Sequence, residues 1–272
     1  MNGSVTGFKS SETLSMRRYW IEKKMIYNDS VTFKDELFHH IFDVCRQEIG
    51  HHFEVLTEDS KAYLVEVTAK EKKQAQAKII EIREIEKLPR PHIHIALSVS
   101  RYHVMDSIIE KAVEMGVQSI LPFCSDFSFI RKPNNLPSGK TERWQKIVVS
   151  ATQQSGRGEL MKIDEPVEWA EMLKKINPSP VNWCLFAYEG DSVLGVKEYL
   201  QKNKEKLHAT EGVSAENIWI IVGSEGGFSE KEVSEMKQLG LNPVTLGSQV
   251  LRVETACMTL VSVLKYEFGL LK

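Results

Sequence analysis

The sequence predicts an α/β protein in two parts: a small β-rich module, then a mostly parallel sheet covered by helices. Three observations predict it. Residues 16–87 carry short segments of alternating polarity. From Pro91 onward, apolar strand-like runs alternate with amphipathic helical stretches. Between the two, Leu88-Pro89-Arg90-Pro91 sets a pair of prolines close together, which disfavours helix and interrupts strand pairing.

In the first part, residues 51–56, 62–67 and 77–82 read as strands. Residues 35–46 read as a short helix with Leu37, Ile41, Val44 and Cys45 on its apolar face. The result is a barrel-like β module over residues 16–88. Residues 1–15 are polar and lack the apolar stretch of a signal peptide, so they are expected to be a disordered extension. In the second part, residues 89–272, strands are expected at 93–99, 117–123, 183–187, 218–222 and 244–246. Helices fall between them. One covers 105–115 and stops at Gly116; a second covers 141–154 with Trp144, Ile147, Val148 and Ala151 as its stripe; a third covers 193–207.

Composition narrows the function. The chain has 272 residues, 42% hydrophobic and 26% charged, enough for a soluble core. No run approaches the ~18 apolar residues of a membrane span. The net charge of -2 is a weak footprint for a nucleic-acid binder, so any RNA contact must come from local basic clusters. The 4 cysteines are isolated in apolar runs, which reads as buried free thiols in a reducing compartment such as the cytoplasm. His39-His40 and His51-His52 lack metal-ligand spacing, and His92 and His94 share one strand face, so no metal is expected. Lys70, Lys72, Lys73 and Lys78 are diluted by Glu66, Glu71 and Glu81 and read as a solvated face.

The informative stretch starts at residue 218. The apolar run 218–222 ends at Val222 and enters Gly223-Ser224-Glu225-Gly226-Gly227-Phe228. Ser229 and Glu232 then make a capping box, with Phe228 and Val233 as its staple, and the helix ends before Gly240. Ligands of open α/β sheets sit beyond the carboxyl ends of strands, and glycines let backbone approach them closely. The loop lacks both the Walker lysine and the dinucleotide glycine spacing. Glu225 in its middle repels a phosphate, so a neutral or cationic ligand suits it, such as an adenosine carrying a sulfonium. A second bend, Leu246-Gly247, leads through Leu251, Arg252, Val253 and Glu254 into a last helix over 253–268, with Ala256, Leu260, Val263 and Leu264 as its stripe.

These residues carry a resemblance. Gly223-Ser224-Glu225-Gly226-Gly227-Phe228-Ser229 with Leu246-Gly247 and Leu251-Arg252-Val253-Glu254-Thr255-Ala256 resembles the ribosomal small subunit RNA methyltransferase E family, of the SPOUT superfamily. Upstream, Glu110 to Val117, Ala151-Thr152-Gln153-Gln154-Ser155-Gly156-Arg157, His39-His40-Ile41 and Met16-Arg17-Arg18-Tyr19-Trp20 resemble its other segments in the same order. Ser224 stands where the family usually has proline, Val253 where threonine is common, and Val99-Ser100-Arg101 replaces a lysine-glycine turn.

The resemblance implies a SPOUT domain with a C-terminal trefoil knot, which no spacing in the sequence reveals. It implies an N-terminal PUA-like RNA-binding domain, a homodimer, and S-adenosylmethionine as cofactor. The substrate it implies is small-subunit (16S) ribosomal RNA, methylated at N3 of a uridine. The cofactor site would comprise Val222, Gly223, Glu225, Gly226, Gly227, Leu246, Gly247, Leu251, Arg252, Thr255 and Ala256, with Leu246, Leu251 and Ala256 packing around the adenine.

Chemistry then suggests roles. N3 of uracil is a poor nucleophile until its proton leaves, and the anion spreads charge onto O2 and O4. Arg252 is the first candidate to stabilise that charge and Glu225 the second catalytic candidate; Glu225 or Glu254 takes the proton. Arg252 could instead pair with Glu254, and Glu225 could instead cap amides in a turn. RNA contact is assigned to Arg17 and Arg18, to Gln154 and Arg157 at a helix end, and to Arg131 and Lys132 in a loop without acids. The alternatives are a ribose 2′-O-methyltransferase acting on rRNA or tRNA, and a non-catalytic RNA-binding module with a decayed cofactor site.

Overall fold

The computed structural model describes residues 16–190, 194–207 and 215–271. The expected extension at 1–15 and the expected helix start at Val193 lie outside them. The chain divides into two compact units, one of residues up to Lys87 together with 152–160, the other of 88–151 with 161 onward. Residues 152–160, read from sequence as part of the second domain, thus group with the first.

The first unit is built on a six-stranded sheet. Its elements are β1 (Arg18–Trp20), β2 (Ile26–Tyr27), β3 (Ser30–Lys34), α1 (Asp35–Phe38), β4 (His52–Thr57), β5 (Lys61–Lys70) and β6 (Gln74–Glu84). Their order is β1-β4-β5-β6-β3-β2, with β1 parallel to β4 and the other pairs antiparallel. α1 continues into a π-helical stretch, His39–Val44. That wider winding turns the apolar face away from the expected one. Phe38, Ile41 and Phe42 are buried, while Val44 is 58% exposed. The core is aromatic: Tyr19 meets Phe53 edge-on at 5.1 Å and Phe38 stacks on Phe42 at 5.2 Å.

A buried carboxylate holds one end of this sheet. Glu54 accepts from Arg18 Nε at 2.9 Å and from Arg83 Nε and Nη2, both at 2.8 Å. Burial raises its pKa, but the hydrogen bonds from Arg83 and Arg18 outweigh burial, so the carboxyl lies below its ordinary value.

The second unit follows the predicted alternation. It runs β7 (His92–Ser98), α2 (Tyr102–Glu114), β8 (Ser119–Cys124), α3 (Lys140–Ser155), β9 (Lys162–Ile163), β10 (Val167–Glu168), α4 (Trp169–Ile176) and β11 (Asn182–Ala187). It continues with β12 (Leu194–Gly195), α5 (Val196–Leu207), β13 (Asn217–Val222), α6 (Glu230–Gln238), β14 (Pro243–Thr245) and α7 (Val253–Glu267). The eight-stranded sheet has the order β10-β8-β7-β13-β11-β14-β12, with β9 beside β8, and its pairs are parallel. Buried on both faces, β7, β8 and β13 are near-continuous apolar runs. α2 ends at Gly116, whose φ of 71° suits that exit. On α7 the buried stripe is Val253, Cys257, Leu260, Val261 and Leu264, at helical spacing. Ala256 and Val263, expected inside, lie half-exposed, because Cys257 and Val261 face the sheet instead.

Replacing Glu54 by Gln should cost about 3 kcal/mol, since it leaves Arg18 and Arg83 facing a neutral group. The carboxylate's contribution is complete above the ordinary value of 4.5 and is lost as pH falls through the lower folded value. Urea unfolding at neutral and acid pH should show that loss in the wild type and not in E54Q.

Candidate active site

Because the strands are parallel, their carboxyl ends meet at one edge, where the connecting loops build the site. The first loop follows β13. Gly227 N–H donates to Ser224 O at 2.9 Å, closing a turn in which Gly227 has a φ of 69°. Gly223 is needed for contact rather than for its torsion. A Cβ there would stand 3.0 Å from both the Cα and the carbonyl carbon of Gly227. Gly226 faces Phe127, whose Cβ would lie 2.9 Å from an added Cβ.

Neighbouring loops tie this turn down. Ser224 Oγ donates to the Phe127 carbonyl at 2.7 Å, and Arg101 N–H donates to Glu225 Oε1 at 3.2 Å. Glu225 thus accepts from the residue that opens α2, not from an amide of its own turn. The predicted capping box is present at α6, and the buried Glu232 also accepts from Asp126 N–H at 2.8 Å. Ser229 Oγ donates to Asp126 Oδ2 at 2.6 Å. Phe228 is buried against Phe186, 5.1 Å away.

The second loop follows β14. Thr245 Oγ1 donates to Gly247 O at 2.9 Å and accepts from Gly247 N–H at 3.2 Å. Gly247 has a φ of 136°, outside the range side chains tolerate well. A third wall, unnoticed in the sequence, follows β11: Ala187, Tyr188 and Glu189. Tyr188 N–H donates to Val244 O at 3.0 Å, and its ring stacks on Phe186. The sequence signal was available in Gly190, whose missing side chain leaves room for the Tyr188 ring.

These walls form a cleft that opens to solvent. Val222, Gly223, Gly227, Leu246, Leu251 and Ala256, all predicted for the cofactor, line it. Beside it lies a more polar cavity lined by Arg101, His103, Glu225, Arg252 and Glu254. The predicted catalytic pair, Arg252 and Glu225, therefore shares this second space. Gly226, Gly247 and Thr255 line neither; Thr255 lies with Met258 and Thr259 on the outer side of α7. The cleft suits an adenosine-type ligand: its lining is mainly apolar side chains and glycine main chain with a few polar groups such as Thr245 and Gln249, and among the described residues it holds no cation suited to a phosphate.

The RNA candidates separate. Arg131 and Lys132 are exposed in the loop after β8. Near them Phe127 and Phe129 are 47% and 51% exposed. Tyr102 meets Phe129 edge-on at 5.2 Å, and Lys140 Nζ lies 4.1 Å over the Tyr102 ring. In the first unit, Gln154 is exposed, Arg17 donates to the Cys45 carbonyl at 3.0 Å, and Arg18 is engaged by Glu54. Arg157 is only 8% exposed, and burial pushes its pKa down to about 10 despite Glu159. It is a packed residue rather than a presented one. Among the described residues, no cluster of metal-ligating side chains occurs and all four cysteines are free. No helix there is long and apolar enough to cross a membrane.

A family model described as an RNA methyltransferase domain matches residues 86–265, and one described as an RNA methyltransferase PUA domain matches residues 33–80. The fold and cleft thus belong to the RNA methyltransferase class with an appended PUA domain. The ribosomal RNA small subunit methyltransferase E of Aquifex aeolicus is 31% identical, over 82% of this chain and 89% of its own. That of Buchnera aphidicola from Acyrthosiphon pisum is 28% identical over 93% and 94%. The Neisseria gonorrhoeae enzyme of the same name, solved bound to S-adenosyl methionine, is 27% identical with a TM-score of 0.74, over 92% of this chain and 97% of its own. The chain belongs to the ribosomal RNA small subunit methyltransferase E family.

Gly223→Ala should lower stability by about 1–3 kcal/mol, because the new methyl meets rigid main chain rather than a movable side chain. Thermal unfolding of the variant checks this; an unchanged midpoint would show that the turn can open freely.

Proposed function

We propose that the protein transfers the methyl group of S-adenosylmethionine to N3 of a uridine in small-subunit ribosomal RNA. The observation that carries this reading is the pairing of two spaces: an apolar cleft walled by bare backbone, opening beside a cavity that holds Arg252 and Glu225. Named relatives and a neighbour solved with the cofactor support it.

The cofactor supplies an activated methyl group on a positive sulfur. The chain's own residues do the rest. Val222, Leu246, Leu251 and Ala256 hold the adenosine by apolar contact and exclude water. Arg252 faces the cavity as an exposed guanidinium and stabilises the negative charge that uracil acquires when N3 loses its proton. Of the carboxylates lining that cavity, Glu225 and Glu254, beside Arg252, are the candidates to take that proton. Phe127, Phe129, Arg131 and Lys132 offer stacking faces and cations for single-stranded RNA. Arg17 and Gln154 of the PUA unit are the exposed remainder of the RNA set.

The same reading includes the trefoil knot, a homodimer and a cytoplasmic location. β13 lies between β7 and β11, and β14 between β11 and β12, all of which precede them. Such insertion of late strands between earlier ones is compatible with a knotted path. α7 leaves Met258, Thr259, Ser262 and Val263 half-exposed, a face suited to a second copy of the chain.

Arg252→Ala should reduce kcat by about 10²-fold while leaving cofactor affinity largely intact. Single-turnover methylation with nucleoside mass spectrometry and calorimetry with S-adenosylmethionine read the two effects. A ribose-methylated product would refute the N3 assignment, and absence of cofactor binding would refute the enzyme.

A further inference from the structure

The cleft and the polar cavity share a short stretch of wall: Glu189, Ser224, Leu251 and Val253 line both. This inference rests on the function proposed above. With the adenosine in the cleft and the uracil in the cavity, the sulfur, methyl carbon and accepting nitrogen must lie in line across that shared stretch. The sulfur is positive before transfer and neutral afterwards. Any group at the junction that distinguishes those two charges distinguishes substrate cofactor from spent cofactor.

Among the described residues, Glu189 is the only ionisable residue in the shared stretch and the only carboxylate that lines the apolar cleft. Its Oε1 lies 3.6 Å from where a Cβ on Gly227 would stand, so the carboxylate leans over the glycine turn. Among the described residues Glu189 makes no ion pair. The other acids of the polar cavity, Glu225 and Glu254, lie outside the apolar cleft, and Glu225 is already engaged by the Arg101 amide.

The geometry points to Glu189 as the residue that selects the charged cofactor over the demethylated one. Its carboxylate attracts the sulfonium of S-adenosylmethionine and has no comparable hold on the thioether of S-adenosylhomocysteine. When the methyl group moves to the uracil nitrogen, the sulfur retains the bonding electron pair and loses its charge, so the attraction ends and the product leaves more readily. The two ligands are otherwise the same molecule, with identical adenine, ribose and amino-acid groups. A carboxylate bound to the ribose hydroxyls would hold both equally.

The test is a pair of calorimetric Kd values, for S-adenosylmethionine and S-adenosylhomocysteine, on the full chain and on Glu189→Gln. The substitution keeps the shape and removes the charge at an exposed position. The expected result is an affinity for S-adenosylmethionine lower by about 5-fold, the scale of an exposed ion pair, with that for S-adenosylhomocysteine unchanged. On the wild type, raising ionic strength should narrow the preference between the two ligands, and on E189Q it should not. Equal weakening of both ligands, or no weakening of either, would overturn the assignment. A wild type that binds neither ligand would instead overturn the cofactor reading on which it stands.

Discussion

Contact between two stretches of main chain governs the site. Gly223 and Gly227 approach so closely that a single methyl on Gly223 would strike backbone on the other side. The turn they close brings β13's end, the start of α6 and the loop after β8 into one rigid corner. Ser224 holds the Phe127 carbonyl, Glu232 holds the Asp126 amide, and Glu225 takes the Arg101 amide. Each of these bonds runs from the glycine loop and its helix cap to the loops after β7 or β8. The corner is therefore fixed by hydrogen bonds over long sequence separation, and the cleft beside it needs little rearrangement to accept a ligand.

That rigidity also sorts charge. The cleft is lined mainly by apolar side chains and glycine main chain, with Glu189 its one carboxylate among the described residues, whereas the adjoining cavity collects Arg101, Arg252, Glu225 and Glu254. Methyl transfer from a sulfonium needs this division. The donor is large, mostly apolar and positive at one atom, while the acceptor develops negative charge and must give up a proton. A single mixed pocket would bring Arg252 against the donor's positive sulfur, at an electrostatic cost.

The sequence disclosed those parts of the fold that are long and periodic, and those parts of the site marked by glycine. β4 and β5 follow from alternating polarity, β7, β8 and β13 from continuous apolar runs, α3 from helical spacing, α2 from its stop at Gly116 and α6 from its capping box. The two-residue strands β2, β9, β10 and β12 are too short to show any period, and only the sheet's edges reveal them. The helix after β3 buries a different face from the one its spacing predicts, because a π-helical stretch shifts the register, which no spacing rule anticipates. On α7, two adjacent candidate stripes differ by one residue, and packing against the sheet selected Cys257 and Val261. The wall at Tyr188 and Glu189 carries a weaker sequence signal, because the strand before it ends without a glycine bend and only Gly190 follows just beyond. Arg157 shows the converse limit: a cation at a helix end reads as a contact residue until burial is known.

Net charge bears on RNA binding only through the cations left uncompensated. A chain at -2 has no global field to draw in RNA. Arg18 and Arg83 are spent on Glu54, Lys23 on Asp59 and Arg143 on Asp106, so these contribute little outward potential. Arg252 lines the polar cavity, while Arg131 and Lys132 lie in the loop that continues from the Ser125–Ser128 hydrogen bonds beside the glycine corner. That loop also carries Phe127 and Phe129 outward on either side of the buried Ser128. Exposed rings on a fixed backbone lose little entropy when a base stacks on them. Recognition built this way depends less on salt than a purely cationic surface does, because stacking releases no counterions. On the function proposed above, a slightly acidic protein can hold an RNA substrate through a few exposed aromatic faces and cations rather than through its net charge.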